Sequence, residues 1–245
     1  MDKSNTLLSA AVLGAALLAS QGALAATLSV DGKSNLFASG QAAVTQPGGG
    51  GGGVLPPSFT FAAGPGQVLT FSSVSGFTDC CNRTPGMNAD GTTNLIASGN
   101  TAINAGNGIS GIQAPGQMFL AGVFLAGAVP TGAAPASLDF TGNTGFTSLS
   151  PLLNQMFYIG DGLTGNGSGT TQSFLVPTSA TRLFLGFADA FDFTAPNHGF
   201  YNDNLGELRA TFEITGGTSV VPVPAALPLL LSGLGLFGWL SRRRG

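Results

Sequence analysis

The chain has 245 residues, of which 39 are glycine and only 8% are charged, and its formal net charge is −3. This length suits one domain of ordinary size with flanking segments, and the scarcity of Lys, Glu and Arg disfavours a helical protein. Between Ala26 and Val220, four basic residues stand against ten acidic ones, which gives a net charge of −6. The body therefore lacks the basic footprint that nucleic-acid binding requires.

The N-terminus has the order of elements of a secretory signal peptide, which we predict over residues 1–25. A short polar region containing Lys3 precedes an apolar stretch from Leu7 to Ala19, and a small-x-small pattern predicts cleavage between Ala25 and Ala26. The alternative is an N-terminal core helix. It is disfavoured because the Ala- and Leu-rich sequence stops abruptly where a strand-like pattern begins. We therefore expect an exported protein.

The body, residues 26–217, is predicted to be an all-β domain. Four segments bounded by turn-forming residues carry β-branched or aromatic side chains, namely Val68–Val74, Gln117–Gly127, Arg182–Asp189 and Leu208–Thr215. In the last of these, apolar residues alternate with polar ones, which is typical of a half-buried antiparallel strand. Since no helix-length periodic stretch is visible in the body, we predict a β-sandwich of antiparallel strands.

Six consecutive glycines, Gly48–Gly53, form the most unusual stretch of the body. Such a run has no side chains to bury and a high entropy in the unfolded chain, so we predict a loop tip or a flexible excursion. A phosphate-binding loop would need a following helix and a lysine, and the sequence has neither here.

The cysteines and the histidine offer little for catalysis. Cys80 and Cys81 are the only cysteines and are adjacent, so in an exported protein they could form a vicinal disulfide or pair between chains. Two cysteines cannot make a four-thiol zinc site, and a catalytic cysteine would need a partner base. The single histidine, His198, lies in a loop-like segment, where we expect an exposed side chain. No catalytic residue is predicted, and we expect a protein that is not an enzyme.

Oxygen-bearing side chains are densest between the last two predicted strands, in residues 189–207. This segment holds Asp189, Asp192, Asn197, Asn202, Asp203, Asn204 and Glu207. Calcium takes six to eight oxygen ligands from carboxylates, amides and backbone carbonyls. The spacing is not that of an EF-hand, and a solvated acidic loop is the alternative interpretation.

The C-terminal segment, residues 218–245, has the pattern of a membrane anchor. Its apolar run over residues 225–240 would span roughly 24 Å as a helix, a little less than a hydrocarbon core of about 30 Å. The three residues that follow the run are expected to stay in the cytoplasm, and they are Arg242, Arg243 and Arg244. Together with the signal peptide, this transmembrane helix predicts a body on the outer side of the inner membrane.

The tail also resembles a known sorting signal. A proline pair at Pro222 and Pro224, a Leu- and Gly-rich span and a terminal arginine cluster follow one another as in the PEP-CTERM signal of exopolysaccharide-producing Gram-negative bacteria. The resemblance implies a transient membrane anchor, processing by an exosortase-type protease and delivery to the cell surface or extracellular matrix. The usual Glu between the prolines is Val223 here. A plain C-terminal anchor is the alternative, with the same topology and no processing.

The body resembles the calcium-dependent galactophilic lectin family over about residues 28–216. The similar segments are Gly66–Phe77, Arg182–Asp189 and Gly199–Ile214, and Gly32–Gly40 is similar to the opening strand of that family. The resemblance implies a small jelly-roll-like β-sandwich with one Ca²⁺ at one end. In that family the ion binds sugar hydroxyls directly.

Carried over residue by residue, the resemblance implies a set of calcium ligands. Asp189 matches a carboxylate ligand, Phe200 a backbone carbonyl, and Asp203 and Asn204 two side-chain oxygens. Asp189 and Asn204 would also hydrogen-bond the sugar hydroxyls that the ion holds.

Three features of this chain complicate that ligand set. A further carbonyl is expected near Asp79 or Cys80, without a fixed register. Asp192 is an alternative to Asp189 as the carboxylate ligand, because the segment from Asp189 to Phe200 is longer than in the lectins. Residues 89–108 show no match to the other sugar-contacting side chains of that family.

The sequence therefore predicts an exported, surface- or matrix-associated protein that binds carbohydrate through Ca²⁺, with exopolysaccharide as the expected partner. The first alternative is a structural matrix protein in which calcium only rigidifies a loop. A second alternative is an enzyme acting on polysaccharide, with an acid pair such as Asp189 and Asp203 in the catalytic roles.

Overall fold

The computed structural model of the protein describes residues 23–81 and 86–217. The predicted signal-peptide segment up to residue 22 lies outside this range, as do the sorting-signal residues Pro222, Pro224, Arg242, Arg243 and Arg244. Residues 23–217 belong to one compact unit. The described part is built of strands and three single-turn 3-10 helices, which confirms the all-β prediction. None of its helices is long and apolar enough to cross a membrane.

The described residues form fourteen strands. In chain order they are β1 (Leu24–Asp31), β2 (Ser58–Thr60), β3 (Val68–Asp79), β4 (Asn100–Ile103), β5 (Ile112–Pro115), β6 (Ala121–Leu125), β7 (Leu138–Asp139), β8 (Ser148–Leu149), β9 (Met156–Tyr158), β10 (Leu163–Gly165), β11 (Ser168–Thr171), β12 (Ser173–Leu175), β13 (Arg182–Gly186) and β14 (Leu205–Thr215). The 3-10 helices span Leu36–Ala38, Phe191–Phe193 and Tyr201–Asp203.

Two larger sheets carry most of the strands. One has the order β1-β14-β3-β12-β8, and the other has the order β2-β13-β6-β9. Their neighbours are antiparallel except β8, which is parallel to β12. A smaller sheet, β4-β5-β7, also contains one parallel pair, and β10 and β11 form a hairpin. The predicted antiparallel arrangement therefore holds for the two large sheets, with short parallel additions at their margins.

The two larger sheets pack against each other through aromatic side chains. Phe59 on β2 meets Phe212 on β14 edge-to-face, with ring centroids 5.4 Å apart. Phe157 on β9 contacts Phe174 on β12 at 5.2 Å. Because these pairs bury large apolar areas between the sheets, they form the centre of a sandwich-like core.

The longest ladder joins β3 and β14, and it determines where the candidate site lies. β14 pairs with β3 from Leu205, opposite Asp79, to Thr215, opposite Val68. In the second half of β14, inward apolar residues alternate with more exposed polar ones, as the sequence pattern predicts. Since β3 continues to Asp79, the adjacent cysteines that follow it lie beside the start of β14.

The chain passes from one large sheet to the other just before β14. β13 ends at Gly186 in the four-stranded sheet, and β14 begins at Leu205 in the five-stranded sheet. The connecting loop, residues 187–204, therefore lies at one end of the sandwich. It contains the predicted calcium ligands.

The opening segment differs from the lectin-based expectation. Gly32–Gly40 was expected to match an opening strand, but it holds the buried 3-10 helix Leu36–Ala38. The opening strand is β1, which precedes it and pairs with β14. The predicted cleavage-site residues lie on β1, where Ala25 pairs with Glu213 and Ala26 pairs with Phe212.

Candidate metal site at one end of the sandwich

Three of the four predicted ligand residues line a single cavity of about 190 Å³, namely Asp189, Phe200 and Asp203. The competing residue Asp192 lines it as well, and so do Cys80 and Cys81. The fourth predicted ligand, Asn204, is hydrogen-bonded to Asp189. The structure thus brings the predicted residues together, and the cysteines lie where a further backbone ligand was expected.

Asp189 and Asn204 form a buried polar pair behind this cavity. The amide nitrogen of Asn204 donates to a carboxylate oxygen of Asp189 at 2.8 Å and to the carbonyl of Gly32 at 3.1 Å. The amide oxygen of Asn204 is buried and has no hydrogen-bond partner among the described residues. A buried acceptor without a partner destabilises a fold by about 1–3 kcal/mol.

The electrostatics of the carboxylates favour a cation. Burial raises the pKa of Asp189 to about 8, and the negative charge of Asp203 adds to the increase, while the Asn204 hydrogen bond opposes it. Partial burial also raises the pKa of Asp203, and the charge of Lys33 partly offsets that effect. Without a cation, burial therefore favours the protonated form of Asp189. A divalent ion would balance the two negative charges of the ionised pair.

Tyr201 fixes the backbone of Asp189 from inside the core. Its hydroxyl accepts a hydrogen bond from the Asp189 backbone N–H at 3.1 Å and donates to the Phe187 carbonyl at 3.1 Å. The ring is fully buried, so the start of the loop is held against its end.

The six-glycine run is a loop, as the sequence predicts, and it packs against the 3-10 helix Tyr201–Asp203. The Gly49 carbonyl accepts from the Phe200 N–H at 2.9 Å, and the Gly51 carbonyl accepts from the Tyr201 N–H at 3.1 Å. The Gly53 N–H donates to the side-chain oxygen of Asn202 at 3.1 Å. The glycine backbone therefore braces the 3-10 helix that presents Asp203.

Glycine is required at the closest points of this brace. A Cβ atom at Gly50 would overlap the ring of Phe200, and one at Gly51 would overlap the side chain of Asn202. Both glycines also have positive φ, of 64° and 90°, which L-residues rarely adopt. The run therefore allows two backbones to approach more closely than side chains would permit.

Strained backbone is concentrated around the same cavity. Within the described residues, seven non-glycine residues have a positive φ. Four of them line this cavity, and they are Cys81, Asp192, Phe193 and Phe200. Residues in this conformation cost of order 1–3 kcal/mol each and tend to cluster at functional sites.

Cys80 and Cys81 form a vicinal disulfide, which is one of the two pairings that the sequence leaves open. Their sulfur atoms and a carboxylate oxygen of Asp203 lie within 4.8 Å of one another. Metal binding by cysteine needs a thiolate, and the disulfide has none. The oxygen atoms are therefore the donors available to a cation in this state.

The prediction for His198 is wrong. Its side chain is buried, with 2% of its surface exposed, and it stacks on Phe37 with ring centroids 4.4 Å apart. Burial lowers its pKa to about 4, so the ring is neutral and packs as an aromatic group. The remaining members of the oxygen-rich segment, Asn197, Asn202 and Glu207, do not line the cavity.

Comparison of the chain with protein-family models, with curated proteins and with solved structures finds no match.

Proposed function

We propose that this protein is a calcium-dependent carbohydrate-binding protein with a jelly-roll-like sandwich. The observation that carries the proposal is the buried pair of Asp189 and Asn204, in which the Asn204 amide oxygen has no partner among the described residues. Asp203 and Phe200 line the cavity that Asp189 also lines, and carboxylate, amide and carbonyl oxygens are the ligands that calcium prefers.

The residues divide into two roles. Ca²⁺ would be held by the side chains of Asp189, Asp203 and Asn204 and by the backbone carbonyl of Phe200. A further carbonyl would come from the backbone at Cys80 and Cys81. When bound, calcium supplies open coordination positions that vicinal sugar hydroxyls can occupy. Asp189 and Asn204 would hydrogen-bond the same hydroxyls. Asp203 is exposed, which is consistent with a site that a sugar can reach from solvent.

Calorimetry of calcium binding tests the ligand set. We expect one bound ion per chain, loss of binding in Asp203→Ala, and retained though weaker binding in Asp203→Asn, which keeps one side-chain oxygen. Glu213→Gln removes a carboxylate at the far end of β14 and should bind calcium like the parent protein. Unchanged affinity in Asp203→Ala would show that the ligand set is wrong.

A glycan panel, read with calcium and with a chelator, separates carbohydrate binding from a structural calcium role. We expect retention on some glycans only in calcium. A purely structural site would raise the melting temperature without any glycan signal, because ligand binding to the folded state alone stabilises it by mass action. An enzymatic role for the acid pair is disfavoured because a bound calcium ion would keep both carboxyl groups ionised, and neither could then protonate a leaving group.

We further propose export across the inner membrane, transient anchoring by the C-terminal helix and processing by an exosortase-type protease. The signal peptide, Pro222, Pro224 and the arginines 242–244 support this route. Intact-mass measurement of the protein recovered from the producing cell's surface tests it. The expected mature chain begins at Ala26 and lacks the arginine cluster, whereas a chain that keeps its C-terminus would indicate a plain anchor.

A further inference from the structure

One further cavity adjoins the candidate metal site, and a third adjoins that one. A cavity of about 550 Å³ shares Cys81, Ile96 and Asp192 with the metal cavity. A third cavity of about 350 Å³ shares Thr93 with the second. The three therefore follow one another along the surface, and we refer to them together as the track.

The lining of the track is suited to hydroxylated ligands. The second cavity is walled by residues 93–97, which include Thr93, Asn94 and the aliphatic Ile96. The third is lined by hydroxyl and amide side chains, among them Thr92, Thr144, Thr164 and Asn166. Hydroxyl and amide groups beside small apolar surfaces match a sugar ring, which carries hydroxyls at its edge and C–H groups on its faces.

The far cavity is lined by Asp90, whose carboxylate has one oxygen without a partner among the described residues. One carboxylate oxygen of Asp90 accepts hydrogen bonds from the Tyr158 hydroxyl and the Asp161 N–H, both at 3.2 Å. The other is buried and has no partner among the described residues. Because leaving such an acceptor unpaired is unfavourable, a ligand hydroxyl that reached it would gain a hydrogen bond at little cost.

The near end of the track carries an exposed aromatic ring. Phe191 lines the metal cavity, packs on Phe200 with ring centroids 5.3 Å apart, and is 57% exposed. A large apolar ring held open to solvent beside a polar site is a surface against which the C–H face of a sugar can stack.

Charge limits the class of polymer. Among the described residues that line the three cavities, four are aspartates, namely Asp90, Asp189, Asp192 and Asp203, and none is a lysine or an arginine. A bound calcium ion would balance two of these carboxylates, and the acidic groups that remain on the described lining are Asp90 and Asp192. A polyanionic glycan would be repelled along the track, whereas an uncharged glycan would not.

From these observations we infer that the track binds an internal segment of an uncharged polysaccharide, several sugar residues long, with one residue on the calcium site and the others extending past Thr93 towards Asn166. The inference rests on the proposed function and adds to it the ligand class. The affinity would then increase with the number of sugar residues in the glycan, because a single terminal sugar would occupy only part of the site.

Titration calorimetry of the full chain, saturated with calcium, tests this with galacto-, gluco- and mannooligosaccharides of one to six residues. For the series that binds, we expect the affinity to rise at least about tenfold between the monosaccharide and the hexasaccharide. Thr93→Trp, at an exposed position between the second and third cavities, should remove this gain and leave calcium affinity and monosaccharide affinity unchanged. Thr27→Trp, which makes the same change on the exposed face of β1, should bind like the parent protein.

A second variant, Asn166→Ala, should reduce hexasaccharide affinity without changing monosaccharide affinity. Equal affinity for the monosaccharide and the hexasaccharide in the parent protein would overturn the inference and leave the proposed function intact. A length gain that survives in Thr93→Trp would overturn it too. Absence of calcium-dependent binding to every sugar of the three series would contradict the proposed function as well as the inference.

Discussion

The Tyr201 hydroxyl is the single group whose removal should most disturb the backbone at Asp189. In Tyr201→Phe, the Asp189 N–H and the Phe187 carbonyl lose their shared partner inside the core. The Phe187 carbonyl keeps the Leu36 N–H as a partner at 3.2 Å, whereas the buried Asp189 N–H is left unpaired. An unpaired buried group costs about 1–3 kcal/mol, so we expect the free energy of unfolding to fall by at least about 1 kcal/mol. Urea unfolding measures this change.

The other buried tyrosine provides the control for that experiment. In Tyr158→Phe, the carboxylate oxygen of Asp90 still accepts from the Asp161 N–H. The group that loses its partner is the Asp90 carbonyl, whose hydrogen bond to the hydroxyl is long, at 3.4 Å. We expect a smaller loss of stability in Tyr158→Phe than in Tyr201→Phe. The reverse order would mean that the hydroxyl of Tyr201 does not hold the loop.

Asp189 and His198 affect stability in opposite directions as the pH changes. The folded-state pKa of Asp189 is about 8, above its unfolded value of about 3.9, so the folded chain binds an extra proton between these values. Stability therefore falls as pH rises through that window. The folded-state pKa of His198 is about 4, below its unfolded value of about 6.5, so the unfolded chain binds the extra proton between these values. The contribution of His198 therefore makes the protein more stable as the pH rises from 4 to 6.5.

The sum of these effects predicts a pH dependence that calcium should change. Between pH 4 and 6.5 the two groups oppose each other, and above pH 6.5 the effect of His198 ends while that of Asp189 continues up to about pH 8. We expect the melting temperature of the metal-free protein to fall from pH 6.5 to pH 8, and the increase produced by saturating calcium to be larger at pH 8. Asp189→Asn should flatten the metal-free profile over this range, and an unchanged slope in that variant would assign the effect to another group.

Among the structural elements, the six-glycine run gives the sharpest test of how the site is held. Gly51→Ala would place a methyl group on the side chain of Asn202 and force an L-residue to adopt a φ of 90°. Strain of this kind costs of order 1–3 kcal/mol, and here it would fall on the helix that presents Asp203. We expect weaker calcium binding together with lower stability, measured by calorimetry and by thermal unfolding.

Gly142→Ala is the matched control, since a Cβ atom there meets nothing within 4 Å and the φ of Gly142 is not positive. That variant should bind calcium and unfold like the parent protein. If Gly51→Ala also behaved like the parent, the run would be a passive loop, as the sequence alone suggests.

How far the sequence predicts each element depends on how local its interactions are. Leu208–Thr215 is recognisable because one face of the strand is buried, and that burial leaves an alternation in the sequence. The extension of β3 to Asp79 is not recognisable from the sequence, because several residues from Ser72 onward are exposed. Only the ladder with β14 fixes them as a strand. The sequence alone could place Asp189 and Asn204 in the same site, because both lie in the loop between the last two strands.

The two features that sequence reasoning missed both depend on contacts between distant segments. The glycine run is held by backbone groups about 150 residues further along the chain, and backbone groups leave no pattern in the side chains. His198 is buried because Phe37 lies across its ring, and nothing in the residues around it indicates that contact. The only sequence signal for either was the length of the glycine run itself.

On the scale of the whole molecule, the two ends of β1 have different importance. At its C-terminal end, Asp31 pairs with Glu207, and the next residue, Gly32, accepts a hydrogen bond from Asn204 at the candidate metal site. At its N-terminal end, Leu24 pairs with Ile214, at the opposite end of the sandwich. The predicted signal cleavage therefore falls at the end of the strand that is remote from the candidate site.

This arrangement predicts that the mature body is self-sufficient. A fragment of residues 26–217 loses only Leu24 and Ala25 from β1 and keeps the pairing from Ala26 to Asp31. We expect it to unfold in one cooperative transition, with a free energy of unfolding within about 1 kcal/mol of that of fragment 24–217, because terminal residues contribute little to global stability. Its calcium affinity should equal that of the longer fragment.

Removing the whole strand should have a different result. A fragment of residues 32–217 exposes the edge of β14 and frees the Gly32 segment that contacts Asn204, so we expect loss of cooperative unfolding and of calcium binding. Thermal unfolding and calorimetry on the three fragments compare them directly. If fragment 26–217 failed to fold while fragment 24–217 folded, cleavage after Ala25 would be incompatible with a stable mature protein, and the processing site would have to lie further upstream.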